Sequence, residues 1–312
     1  MNLLAILGFT LAGYSVIAND SVQTLGTWIS SNREKVKWYV LWLTSAFLLC
    51  ATLFYSWYTN GGDISFGRLE KIPYVDVKWY HSLAPLALIL LTRKGIPVST
   101  SFLVLSTFAS TVVLGGMLVK SVVGYAVAAV IAYLVWLVTS KFVDEGNDIK
   151  DKHKPYWRVA QWITTGFLWV TWLSHDVANI AVFLPRQLSL FDLIFALGFF
   201  TAILGWVFYE RGGKIQELII DKQNTKYVRS ATLIDLVYAF ILWYFKEVNS
   251  LPMSTTWVFV GLLTGRELAL TSCLSSKKGI KQVFPMLIKD FVKLLIGLLV
   301  SVGIVLAIHY FL

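Results

Sequence analysis

Long apolar runs, punctuated by short charged stretches, make up nearly the whole chain. They cover about residues 3–29, 38–58, 83–91, 102–119, 122–142, 157–183, 191–209, 231–245 and 257–271, with a last segment ending at Leu312. A helix needs about 20 apolar residues to cross about 30 Å of hydrocarbon, and several runs reach or approach that length. The charged stretches between them leave no room for a soluble domain. This pattern predicts an all-α, polytopic membrane protein.

Several runs are interrupted, and the interruptions come in pairs. The first run carries Asn19, Asp20, Gln23 and Thr24 in its second half; the run at 157–183 carries His175, Asp176 and Asn179 and closes at Pro185. A carboxylate costs about 2.5 to 3.5 kcal/mol at the centre of an inserting helix, so each must face protein, water or an ion. Two further breaks read Pro97-Val98-Ser99-Thr100-Ser101 and Pro252-Met253-Ser254-Thr255-Thr256. Proline lacks an amide hydrogen and turns the preceding residue away from helix, yet it suits the first turn of a new one. Each break therefore predicts a helical hairpin whose second arm starts at the hydroxyl residues. In the first hairpin that arm is expected to end near Val119, with Lys120 in a loop before the next span. Whether the hairpins are shallow or cross fully is left open by the pattern.

The spacing of these interruptions is nearly constant: 79 positions from Asp20 to Ser99, and 78 from Asp176 to Ser254. A duplicated unit follows, with residues 1–142 as one repeat, 143–156 as a charged linker and 157–312 as the second. Each repeat is expected to hold three crossings, one of them a discontinuous helix, plus a hairpin that enters and leaves on one side. Three crossings make the repeats inverted. On that parse one face collects Arg33, Lys35, Lys37, Lys141, Lys150, Lys152, Lys154, Arg158, Arg211, Lys214, Lys222, Lys226, Arg229, Lys277, Lys278 and Lys281; the other collects Arg68, Lys71, Lys78, Lys120 and Arg186. The excess of Lys and Arg marks the first face as cytoplasmic and puts both termini outside, in a plasma (inner) membrane protein.

Composition agrees. The chain is 57% hydrophobic and 14% charged, and its formal charge of +9 is spread over loops between spans, which argues against a nucleic-acid partner. Cys50 and Cys273 have no metal or redox spacing and read as small hydrophobes. Arg266-Glu267 reads as a local charge pair, and Gly115-Gly116 as packing or flexibility.

The paired interruptions carry the candidate chemistry. Inverted repeats that break their helices at matched positions point to the substrate site of a secondary transporter. A helix start inside the membrane offers unpaired amides to an oxyanion, and Ser99, Thr100, Ser101, Ser254, Thr255 and Thr256 add hydroxyl donors. Plain N-capping is the alternative for the same residues. Asn19, Asp20, Gln23, Asp176 and Asn179 offer hard oxygen ligands suited to Na⁺, and the two carboxylates also suit a proton carried by the anion. His175 is open between a core histidine and a ligand or proton-linked group.

At these residues the chain resembles the inorganic phosphate transporter (PiT) family. That family carries a Gly-Ala-Asn-Asp-Val-Ala-Asn signature in each half and a Pro-Val-Ser-Thr-Thr type motif in each hairpin. The signatures here read Ile17-Ala18-Asn19-Asp20-Ser21-Val22-Gln23 and Leu173-Ser174-His175-Asp176-Val177-Ala178-Asn179. Gln23 and His175 stand where the family has Asn, the leading Gly is replaced in both copies, and the linker is short. The resemblance implies a cation-coupled symporter importing inorganic phosphate, with Na⁺ or H⁺ as coupling ion, no other cofactor, and a homodimeric assembly in the lipid bilayer. Asp20 and Asp176 would then serve both phosphate and cation, and both hairpins would face one central phosphate.

A permease for sulfate or another oxyanion fits the same residues. A membrane-embedded enzyme using His175-Asp176 lacks a nucleophile or a metal cluster, and a non-transporting receptor is the remaining class. The parse itself is open to labelling: single cysteines at Ser31 and Asn224 should react with an impermeant thiol reagent from the same side of the membrane. Reaction from opposite sides would refute the inverted arrangement.

Overall fold

A computed structural model describes residues 2–32, 35–93, 98–143, 153–210, 228–248, 250–273 and 280–311. The described residues form helices and connecting turns: α1 (Leu3–Asn32), α2 (Trp38–Thr59), α3 (Leu83–Arg93), α4 (Thr100–Leu103), α5 (Thr111–Val143), α6 (Lys154–Asp176), α7 (Ala178–Ala181), α8 (Leu190–Tyr209), α9 (Val228–Val248), α10 (Thr255–Cys273) and α11 (Ile280–Phe311). Short 3-10 turns at Trp79–Ser82 and Leu105–Thr107 flank α3 and α4. Within α2, α5, α8, α9 and α11 lie five segments long and apolar enough to cross a membrane, and the chain is an integral membrane protein. The linker read at 143–156 lies mostly outside the described residues, as do Lys94 to Pro97 and the basic stretch at 274–279.

Local chemistry sets the helix limits. Ser189 caps α8: its hydroxyl oxygen accepts from the Asp192 amide at 3.2 Å, and its O–H donates to the Asp192 carboxylate at 2.7 Å. From there α8 is apolar on all sides. Leu193, Ala196 and Phe200 are buried, whereas Phe191, Ile194 and Phe195 are exposed, as expected of a helix with one face toward lipid. Proximal to the first acidic signature, α1 bends by 48° between Leu3–Ala18 and Gln23–Asn32. Thr24 stands at this bend, where its hydroxyl donates back to the Ser21 carbonyl at 3.0 Å, a bond that competes with the helical ladder and favours bending. The helix bends there without ending. In the second half the expected discontinuity is complete: α6 stops at Asp176, and α7 is a separate single turn after Val177.

The two hairpins differ, which the apolar pattern could not show. The first has an inbound α3 of 11 residues and a return made only of α4, with 4 residues, and a 3-10 turn. At 1.5 Å per residue α3 reaches about 16 Å, short of a full crossing. The second hairpin is built from α9, with 21 residues, and α10, with 19, each long enough to span about 30 Å. A correction follows at Lys120. No loop forms there; the chain breaks earlier, after Phe108, and α5 then runs unbroken for 33 residues. Lys120 can sit inside that helix because its ammonium donates to the Leu251 carbonyl at 2.8 Å. Arg68, another of the five basic residues assigned to loops on the sparse face, is also buried.

Packing joins the halves in matched pairs. If α1, α2, α3, α4 and α5 are set against α6, α8, α9, α10 and α11, then α1 packs on α8 as α2 packs on α6, and α1 on α3 as α6 on α9. The long α5 lies along α10, and α11 in turn lies against α4. At one end α1 and α6 are tied by polar bonds: Gln161 donates to Ser31 Oγ at 2.6 Å and Arg158 to Asn32 Oδ1 at 3.0 Å. Arg266 and Glu267 do form the expected pair, at 2.9 Å, with the guanidinium buried and 5.9 Å from the Trp136 ring centre.

A close approach of two helices rests on Gly261 and Gly265 of α10. A methyl group at Gly261 would lie 2.3 Å from the Tyr125 carbonyl oxygen of α5, and one at Gly265 would lie 2.0 Å from that of Ala129. Glycines four apart let two backbones touch, and no flexible side chain is there to yield. Gly115, by contrast, has open space beside it. Gly265→Ala should therefore force α5 and α10 apart at a cost of about 1 to 3 kcal/mol or more. Gly303→Ala, which meets nothing within 4 Å, is the control. Thermal unfolding in detergent reads the difference, and a Gly265→Ala protein that melts with the control would exclude this contact as a support of the fold.

Candidate functional site

The two Pro-Ser/Thr segments, 155 positions apart in sequence, touch in the structure. Ser101 Oγ donates to the Met253 carbonyl at 3.1 Å. The residues three places beyond Ser99 and Ser254, Phe102 and Trp257, meet edge to face with ring centres 5.9 Å apart.

The α6–α7 elbow supplies the polar centre. Asn179 Nδ2 donates to Asp176 Oδ1 at 2.9 Å and lies 2.9 Å from Thr100 Oγ1. Thr100 in turn donates to Asp176 Oδ1 at 3.4 Å. One acidic signature and the opposite hairpin's hydroxyl motif thus form a single bonded set. Tyr238 of α9 donates to the Thr255 carbonyl at 2.9 Å. Asp20 is fully buried, and Gln23 Nε2 donates to its Oδ1 at 3.3 Å. The Asn19 side chain lies outside the described residues.

Both hydroxyl motifs act as caps as well. Ser99 Oγ accepts from the Phe102 amide and Ser254 Oγ from the Trp257 amide, each at 3.2 Å. A capping oxygen acts as acceptor, so its O–H remains a donor, and capping does not exclude ligand binding. The helix-start argument is narrower than the sequence suggests. It applies to α10, whereas the 4 residues of α4 form too short a helix to carry a macrodipole. There the hydroxyls themselves must supply the donors. Ser121 of α5 supports the second motif by accepting from the Ser254 amide at 2.8 Å.

All six motif residues are buried, as are Asp176, Asn179 and His175. His175 Nε2 is 2.8 Å from the Leu242 carbonyl and so carries the proton, which leaves Nδ1 as an acceptor. His175 Nδ1, Asp176 Oδ2 and Asn179 Oδ1 are buried without a hydrogen-bond partner among the described residues. Orphaned acceptors are costly, and a cation or a ligand that donates protons would satisfy them. Among the described residues no group of three His, Cys, Asp or Glu side chains is placed to hold a metal ion, so hard oxygens from Asn, Thr and the backbone would have to complete any cation shell.

One buried carboxylate was missed. Asp235 of α9 accepts from Thr27 of α1 at 2.8 Å and from Thr165 of α6 at 2.5 Å, so it ties the second hairpin to both acidic helices. The signal was present, since an acid inside an apolar run is itself a marker of function.

No protein-family model matches this chain, and no curated protein matches it in sequence. A solved structure described as the sodium-dependent phosphate transporter is similar over 98% of this chain and 96% of its own, with a TM-score of 0.68 at 18% identity. At that identity the likeness establishes the fold: this chain and that transporter share one architecture from end to end.

Thr27→Val and Thr165→Val each keep side-chain shape while leaving one Asp235 oxygen buried without its donor. Each should destabilise the protein by about 1.5 to 3 kcal/mol, the scale of a hydrogen bond to a charged group. Melting of the purified variants measures it, and unchanged stability in both would remove Asp235 as a structural tie.

Proposed function

We propose that this protein is a secondary transporter that imports inorganic phosphate by symport with Na⁺ or H⁺. The observation that carries the reading is the bonded set Thr100–Asn179–Asp176, in which one repeat's acidic elbow meets the other repeat's hydroxyl motif. A ligand at that junction touches both halves at once, so rocking one half against the other would expose it to alternate sides. The end-to-end likeness in fold to a sodium-dependent phosphate transporter supports the same reading.

In this scheme the residues divide the work. Ser99, Thr100, Ser101, Ser254, Thr255 and Thr256 offer hydroxyl donors to the oxyanion, and α10 adds the amides of its first turn. Asp20 and Asp176, with Asn19, Gln23 and Asn179, hold the coupling cation. His175, with its proton committed to Leu242, offers a lone pair to the same region. Phosphate suits this centre better than sulfate because its P–OH can donate to the orphaned oxygens of Asp176 and Asn179, and sulfate has no proton to give. The repeats are inverted, both termini face outward from the plasma (inner) membrane, and two copies assemble as a homodimer.

Uptake of radiolabelled phosphate into proteoliposomes, with and without a Na⁺ gradient and at two pH values, tests the proposal. The parent should concentrate phosphate, and Asp20→Asn and Asp176→Asn should abolish concentrative uptake while the proteins remain folded. Alanine at Ser254, Thr255 and Thr256 together should weaken phosphate binding at least tenfold, because each hydroxyl donor to a charged ligand contributes about 1.5 to 3 kcal/mol. Transport of sulfate in place of phosphate would move the substrate to another oxyanion. No transport of either would refute the proposal.

A further inference from the structure

The connector between α2 and α3 delivers a fixed positive charge to the centre. Asp63 folds its turn by accepting from the Ser65 amide at 2.7 Å and the Gly67 amide at 2.8 Å, while Ser56 Oγ accepts from the Phe66 amide at 3.2 Å. Two consecutive left-handed residues result, Phe66 at φ 56° and Gly67 at φ 71°. For Phe that conformation is strained and persists only where surrounding bonds impose it. The Lys246 ammonium, 5.4 Å from the Phe66 ring centre, adds to the hold. This turn points Arg68 inward, where it is 2% exposed.

The guanidinium reaches elements of the second half. Its Nε donates to the Ser174 carbonyl at 2.6 Å and its Nη1 to the Leu251 carbonyl at 3.4 Å. The first contact holds the last turn of α6, two residues before Asp176; the second holds the residue before Pro252. Its Nη2 stands 3.5 Å from His175 Nε2, whose own proton is already given to Leu242, so that donor finds no acceptor there. Arg68 forms no ion pair with a carboxylate among the described residues, and Asp176 is the foremost negative charge acting on it. Carbonyl oxygens satisfy hydrogen bonds without neutralising a charge, and a buried charge calls for an opposite one.

We propose that Arg68 is the positioning and charge-setting residue of the transport site, the counter-charge that makes cation binding at Asp176 depend on the oxyanion. The inference rests on the reading of Asp176 as a cation ligand. Without an oxyanion, a cation at Asp176 meets the fixed positive charge of Arg68, with the Lys120 ammonium on the same Leu251 carbonyl; with an oxyanion present, the anion offsets them. The same charge strengthens the hold on the anion. Arg68 thereby disfavours occupancy by the cation alone, which is the leak that a symporter must suppress.

The test uses purified full-length protein and two separate probes: Na⁺ alone, read as Na⁺-dependent thermal stabilisation in phosphate-free buffer, and inorganic phosphate, read by calorimetry at saturating Na⁺. Arg68→Gln should bind Na⁺ more tightly and phosphate about tenfold more weakly, the two affinities moving in opposite directions. Arg68→Lys keeps the charge but loses the planar fork, so it should return both affinities toward the parent's while melting lower. A merely structural Arg68 would lower both affinities together, and that result, or a Lys variant that behaves like Gln, overturns the proposal. A parent that shows no Na⁺-dependent stabilisation overturns it as well. If Arg68→Gln does not fold, Asp176→Asn in the same chain should restore folding by removing the opposite charge; failure to restore it also overturns the proposal. A parent that binds sulfate but not phosphate would refute the phosphate reading alone, since the Na⁺ arm contains neither anion.

Discussion

Polar groups inside hydrocarbon have no water to bond, and this molecule is organised around meeting that demand at its centre. Helices that cross unbroken satisfy their own backbone; helices that stop at mid-depth must find partners elsewhere. Here α6 stops at Asp176 and α10 starts at Thr255, and the groups freed by each break are met by the other parts of the centre. Ser99 and Ser254 cap their own helices, Ser101 reaches the Met253 carbonyl, and Arg68 and Lys120 both reach that of Leu251. Breaking any one helix in isolation would be prohibitive, so the breaks are tolerated only together.

This interdependence extends to the elements packed around the centre. The hairpins are unequal in length, yet their hydroxyl motifs meet each other through Ser101 and Met253, and Thr100 of the first reaches Asp176 at the elbow. The short first hairpin contributes little more than a hydroxyl-bearing turn, while the second brings two full-length helices, a buried tyrosine and Asp235. Close backbone contact through Gly261 and Gly265 ties α10 to the long α5, so motion of the second hairpin should carry α5 with it. The acidic helices α1 and α6 are tied to each other through Gln161 and Arg158 and to α9 through Asp235. Charge follows the same plan. Asp20 lies at the bend of α1 and Asp176 at the end of α6, and Arg68 comes from a connector that passes through two consecutive left-handed residues.

Much of this was legible in the chain itself. Apolar runs of spanning length require membrane helices whatever the tertiary fold, and proline followed by hydroxyl residues requires a break, because proline cannot supply the amide that a continuing helix needs. Those local rules located the hairpins and the acidic interruptions, and they picked out Asp20, Ser99 to Ser101, Asp176, Asn179 and Ser254 to Thr256 as candidates, all of which the structure buries. They could not set hairpin depth, because an apolar residue facing lipid and one facing protein look alike in sequence. They also placed a loop at Lys120, because a lysine in an apolar run reads as an interface until a partner such as the Leu251 carbonyl is in view. Arg68 was read as a loop charge for the same reason, and Gly261 and Gly265 passed unnoticed because only a neighbouring backbone gives a missing Cβ its meaning. Periodicity and backbone chemistry are properties of the chain and were determined by it. Which polar group answers which, across 76 positions from Thr100 to Asp176, depends on distances that only the packed helices create.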